Sequence, residues 1–126
     1  YSAGHGVGIY VDEGATGVSI FSNTVVDADY GIQLHNSNSS VVDKNTLFSN
    51  RKSQLWLLEQ LTARSGAVDT RVYGNVVTGN RFFPTEGGAS VLIESLVGST
   101  AGFASFQGNV YSTLLSPTIV AEVSPT

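Results

Sequence analysis

One phrase recurs along this chain: a short apolar strand, an Asn, then a second short strand. It is spelled SIFSNTVV, VVDKNTLF, RVYGNVVT and SFQGNVYS, centred on Asn23, Asn45, Asn75 and Asn109. Upstream of each lies a further short strand, GIYV from Gly8, GIQL from Gly31, QLWL from Gln54 and SVLI from Ser90. A fifth, TIVA from Thr118, begins a turn that the sequence does not finish. The Asn spacings of 22, 30 and 34 residues read as a 22-residue unit with loops inserted into the third and fourth copies. A unit of that size with three short strands is one coil of a right-handed parallel β-helix. One coil cannot bury its apolar face alone, and stacked coils share a continuous core.

The repeated Asn has a physical reason. An uncharged amide buried at a bend can hydrogen-bond the turn backbone and its equivalents in neighbouring coils, where stacked Asp charges would repel. These four Asn are therefore read as structural. An antiparallel sandwich would need hairpin turns of the Asn-Gly or Asp-Gly type, and neither dipeptide occurs. Helix is expected only around LLEQLTAR, residues 57–64, inside the inserted loop. The expected architecture is all-β: four to five coils in a single partial domain, residues 1–126, cut at both ends. Uncapped coil ends leave open strand edges, so self-association through them is expected.

Composition agrees and narrows the function. Charged residues are 13% of the chain and Gly numbers 14, a balance suited to strands and turns. A net charge of −4 with six Lys and Arg gives no basic face for nucleic acid. No apolar run approaches the ~20 residues that cross a bilayer, so no membrane partner is expected. The absence of Cys excludes disulfides and thiolate metal sites.

The phrases GIYVDEG, GIQLHNSNSSVVDKNTLFSN and QLWLLE resemble the secreted right-handed β-helix proteins of the pectate-lyase-like superfamily. The likeness covers residues 6 to 60 well, and the remainder through the Asn-centred strands. It implies a secreted, periplasmic or cell-surface protein that acts on polysaccharide, as a glycoside hydrolase or a lyase. Since such repeats specify fold better than function, a non-catalytic carbohydrate-binding, cell-surface or structural β-helix segment is the alternative.

Equivalent strands stack about 4.8 Å apart, so a shared register places outward residues in columns. Aligning Ile9, Ile32, Leu55, Val91 and Ile119 gives one column of Tyr10, Gln33, Trp56, Leu92 and Val120, and another of Asp12, His35, Leu58, Glu94 and Glu122. A one-residue slip would bury Asp12 and Glu94. Tyr10, Gln33 and Trp56 form a stripe suited to stacking on and hydrogen-bonding to sugar rings, or Trp56 packs beneath the loop that follows it. Asp12 and His35 fall on adjacent rungs as an acid/base pair or a plain surface ion pair. For a hydrolase the acids are Asp12, Glu13 and Glu59. Glu13 and Glu59 lie two rungs apart, about 9.6 Å, which touches the inverting range. For a lyase the base is His35 or Tyr10, and the cations are Arg51, Lys52 and Arg81 in loops leading to this face. Asp27 and Asp29, with Asp12, offer oxygen ligands for Ca²⁺, though no dense acidic loop supports that ion; no other cofactor or metal is expected.

The scaffold does not need its insertions, residues 59–70 and 81–89, and function on repeat proteins often sits in such loops. Phe82, Phe83 and Pro84 either wall a groove or cover an open core edge. His5 precedes the first strand and is a weaker candidate than His35.

Overall fold

The computed structural model describes residues 6–85 and 87–111, together with the backbone of 119–123. It is a parallel β-helix of thirteen strands. Coil 1 holds β1 (Val7–Val11), β2 (Ser19–Phe21) and β3 (Thr24–Val26); coil 2 holds β4 (Tyr30–His35), β5 (Val41–Asp43) and β6 (Thr46–Phe48). Coil 3 holds β7 (Ser53–Glu59), β8 (Asn75–Thr78) and β9 (Arg81–Phe83); coil 4 holds β10 (Ala89–Ser95), β11 (Ala104–Gln107) and β12 (Val110–Tyr111), and β13 (Ile119–Val123) opens a fifth. The first strands form one parallel sheet in the order β1-β4-β7-β10-β13. The second strands form the sheet β2-β5-β8-β11, and the third strands β3-β6-β9-β12.

The register of the first sheet is the expected one: Ile9 pairs with Ile32, Ile32 with Leu55, Leu55 with Val91 and Val91 with Ile119. Inside, Ile32, Leu34, Leu55, Leu57, Val42, Leu47, Val77, Phe82 and Val91 are fully buried in one cluster. Burial of each such side chain stabilises by roughly 1.5–3 kcal/mol.

The Gly of the recurring Gly-Ile is a packing requirement. A Cβ on Gly31 would lie 2.4 Å from the Gln54 carbonyl oxygen and 2.7 Å from Leu47 Cδ2. On Gly8 it would lie 2.3 Å from Val25 Cγ1. Neither strand could enter its coil there with a side chain.

The Asn ladder differs from the expected one at its third rung. Asn23, Asn45, Asn80 and Asn109 follow Ser22, Lys44, Gly79 and Gly108, all with φ between 56° and 66°. Each such left-handed residue turns β2-type into β3-type strand. Asn45 Oδ1 accepts from the Asn23 N–H at 2.9 Å, Asn80 Oδ1 from the Asn45 N–H at 2.9 Å, and Asn109 Oδ1 from the Asn80 N–H at 2.9 Å. Asn75 sits one corner earlier, as the first residue of β8 in the second sheet. There its Oδ1 accepts from the Ser40 N–H at 3.0 Å and its amide donates to the Phe103 carbonyl at 3.0 Å. The stretch GNVVTGN in residues 74–80 carries two Gly-Asn corners, and the strand register selects the second.

Three other expectations are corrected. Residues 57–59 belong to β7, and the loop beyond them makes only hydrogen-bonded turns, from the Ser65 N–H to the Thr62 carbonyl at 3.1 Å and from the Ala67 and Val68 N–H groups to the Arg64 carbonyl at 2.9 and 3.0 Å, with no helix among the described residues. Burial of Leu57 against the core outweighs the local helical pattern. Arg81 and Phe82 lie on strand β9, not in a loop. Phe82 is a core residue stacked on Tyr111 at 5.4 Å and walls no groove. The long insertion of coil 3 runs between β7 and β8, and that of coil 4 between β10 and β11.

Candidate functional site

Side chains on the outer side of the first sheet come together at the end of β1 and β4. Tyr10 pairs with Gln33, and Gln33 with Trp56, on successive rungs. One position pair further along, Asp12 and His35 meet. The Tyr10 hydroxyl donates to Asp12 Oδ1 at 3.0 Å and lies 3.0 Å from His35 Nδ1, which is itself 3.2 Å from Asp12 Oδ1. The Tyr10 and His35 rings stack at 6.1 Å.

An ionised carboxylate only accepts, so the short contact to Asp12 places the proton of a neutral His35 on Nδ1. Nε2 is then an unprotonated acceptor. It is fully buried with no hydrogen-bond partner among the described residues. This tautomer leaves an acceptor unsatisfied, which costs less than leaving a buried N–H unsatisfied. Burial, then the hydrogen bond and charge of Asp12, push the Tyr10 phenol up to about 12. The Glu13 N–H, donated at 2.7 Å, and next His35 hold the Asp12 carboxyl below the usual range. Asp12 nonetheless keeps 66% of its side chain exposed, whereas His35 keeps 11%.

Glu13 and Glu59 have separate hydrogen-bond partners. Glu13 Oε2 accepts from the Thr62 hydroxyl and, at 3.4 Å, from the Asn36 amide. Glu59 Oε2 accepts from the Val72 N–H at 2.8 Å, and its Oε1 from the Ser95 hydroxyl at 3.4 Å. Both carboxylates fasten the coil-3 insertion to the scaffold. Asn36 completes the fastening, donating to the Gln60 carbonyl and accepting from the Gln60 N–H, each at 2.8 Å.

Trp56 is half-buried, stacked on Tyr30 at 4.2 Å, and its indole N–H donates to Glu94 Oε1 at 3.2 Å. Lys52 stands 5.6 Å over the other partner of that stack, the Tyr30 ring. Tyr30 is absent from the sequence-derived columns. It precedes the recurring Gly-Ile, and the strand begins one residue earlier than the phrase. Gln33 lies in the stripe but is buried.

Of the cations expected beside the base, Arg51 and Arg81 lie elsewhere. Arg51 lies 3.3 Å from Asp27 and 3.7 Å from Asp29, at the opening end of the sheet. It precedes β7, whose first residue Ser53 stands five residues before Leu58, the partner of His35, a separation of about 17 Å along the strand. Arg81 is exposed on the third sheet. The same strand length separates Asp12 from Asp27 and Asp29, so the three do not share an ion, and among the described residues no three His, Cys, Asp or Glu cluster. His5 lies outside the described residues.

The arrangement is one continuous outer face: the Lys52–Tyr30–Trp56 stack with Glu94, then Gln33, then the Tyr10–Asp12–His35 network. Neither a curated protein nor a solved structure matches the chain at a significant level. A family model does match, over residues 2–100, described as periplasmic copper-binding protein (NosD). That span is most of the sequence, and the chain belongs to the NosD family of β-helix proteins.

Proposed function

We propose that this chain is a glycan-binding segment of a periplasmic β-helix, with the outer face of the first sheet as its binding surface. The single observation that carries this reading is the half-buried Trp56, held flat by Tyr30 and oriented by Glu94. A fixed aromatic plane flanked by Lys52, Gln33 and Tyr10 suits sugar rings and their hydroxyls. The family's periplasmic description agrees with the exported location expected from the sequence.

The carboxylates argue for binding over hydrolysis. Glu13 and Glu59 each accept hydrogen bonds that fasten the insertion, which favours a structural role for them over general acid or base work. One observation favours a catalytic reading: Tyr10, Asp12 and His35 form an acid/base network on the same face.

The family description also names copper, and the described residues do not fit a copper centre. The chain has neither Cys nor Met, the soft donors that select Cu(I). His35 turns Nδ1 to Tyr10 and Asp12, and its buried Nε2 has no second ligand clustered with it among the described residues.

The test is calorimetric titration with soluble neutral and acidic oligosaccharides, alongside assays for new reducing ends and unsaturated product. Binding that Trp56→Ala weakens tenfold or more, with neither product, is the expected result. Turnover that His35→Ala abolishes would replace it with the catalytic reading. No binding to any member of the panel would remove the glycan.

A further inference from the structure

We propose that Thr62, on the coil-3 insertion, is a positioning residue whose hydroxyl latches Glu13 and thereby holds Asp12 between Tyr10 and His35. Asp12 is the most exposed member of that network, and an exposed carboxylate is free to change rotamer. Its backbone anchor is the Glu13 N–H at 2.7 Å, so the direction of that N–H decides where Oδ1 points. The turn that sets this direction, Asp12-Glu13-Gly14, is held from two sides. Coil 2 supplies the Asn36 carbonyl, which accepts from the Gly14 N–H at 3.0 Å.

The insertion supplies the rest. It leaves β7 after Glu59, crosses back over coil 2 through the paired Asn36–Gln60 contacts, and reaches coil 1. There the Thr62 hydroxyl donates to Glu13 Oε2, and Val68 packs on Gly14, its side chain 3.2 Å from where a Cβ would be. Gly14 has φ +83°, so the turn also needs a residue that adopts the left-handed region. A segment from coil 3 thus sets the geometry of a network built by coils 1 and 2. This deepens the binding-face reading and rests on it for the network's use, but the geometry is testable without ligand.

The chain has two histidines, so ring ¹⁵N–¹H spectra of the glycan-free protein resolve His35 readily. Wild type should show the Nδ1–H tautomer with a protected, downfield ring proton, and Asp12→Ala marks its complete loss. Thr62→Val and Thr62→Ala should lose that proton while keeping a folded amide spectrum, and Thr62→Ser should retain it. An unchanged His35 signal in the Val and Ala variants overturns the proposal. So does global unfolding of both while Asp12→Ala stays folded, since Thr62 would then be a stability element. Because no glycan is present, these outcomes are independent of whether the face binds one.

Discussion

Asp12 and His35 meet at 3.2 Å across two coils although they lie 23 residues apart. Their contact exists because the β1–β4 register carries one residue past the last paired positions, Val11 and Leu34. The carboxylate adds its hydrogen bond and charge to the partial desolvation that already raises the Tyr10 phenol. In Asp12→Asn the Tyr10 phenol should therefore titrate lower than its value of about 12, while remaining above 10 because burial persists. Difference absorbance of the phenolate against a Tyr10→Phe reference reads this directly.

Asp12 and Tyr10 give a pH dependence with a definite sign. The Asp12 carboxyl is held lower in the folded chain than in the unfolded one, so its contribution is complete above the unfolded value near 4 and lost as pH falls through the folded value. Tyr10 is raised, so its contribution is present below about 10 and lost as pH rises towards about 12. Urea midpoints across pH should fall at both extremes, and Asp12→Asn should flatten the acid limb relative to wild type.

The ladder predicts a gradient from its centre to its end. Asn80 is fully buried; its amide donates to the Val42 carbonyl at 2.8 Å, and its Oδ1 accepts from Asn45. Asn80→Ala should cost ~3 kcal/mol, since several buried groups lose their partners together. Asn23 is exposed at the first rung, and Asn23→Ala should cost ~1 kcal/mol or less. Equal costs in equilibrium urea unfolding would contradict the role of burial in this ladder.

How much of this was legible in the sequence follows from which forces are periodic. The first-sheet register is readable because apolar residues at Ile9, Ile32, Leu55 and Val91 must all face one core, and a slip would expose every one. The meeting of Asp12 with His35 follows from that register alone. The third ladder rung is not readable locally, because Gly74-Asn75 and Gly79-Asn80 are the same dipeptide at two different corners. Only pairing of Val42 with Val77 separates them. Glu13 and Glu59 read as catalytic because strand spacing says nothing about an insertion. The loop that occupies both carboxylates is aperiodic, and its return to coil 1 through Thr62 depends on tertiary contacts.

Glycine at the strand entry gives a steric prediction. In Gly31→Ala the new methyl would meet backbone and core atoms at 2.4–2.9 Å, and overpacking of this kind costs about 1–3 kcal/mol, at the upper end where backbone must move. Gly17 has φ +69° and open space around it, so Gly17→Ala should cost only the ~1 kcal/mol of a left-handed alanine. Thermal unfolding of the two variants should rank them in that order.

The fastening of the insertion predicts where the chain is first cut. Glu59 accepts the Val72 N–H on the returning limb, 13 residues along the chain, and so closes the loop at its base. Glu59→Ala removes that closure while leaving the β7–β10 pairing, including the Glu59 backbone opposite Ser95, in place. Losing the Val72 hydrogen bond to this charged acceptor, together with the longer one from the Ser95 hydroxyl, should lower stability by about 1.5–3 kcal/mol, and less where the half-buried carboxylate stays hydrated. The larger effect should be local. Arg64 is exposed within the loop, and loop openings of low free energy govern limited proteolysis. Trypsin under native conditions should therefore cleave Glu59→Ala after Arg64 severalfold faster than wild type, with the remaining coils intact on mass analysis. Cleavage at Arg64 unchanged by the substitution would show that Thr62 and Asn36 hold the loop without Glu59, and would return its carboxylate to the candidates for acid/base work.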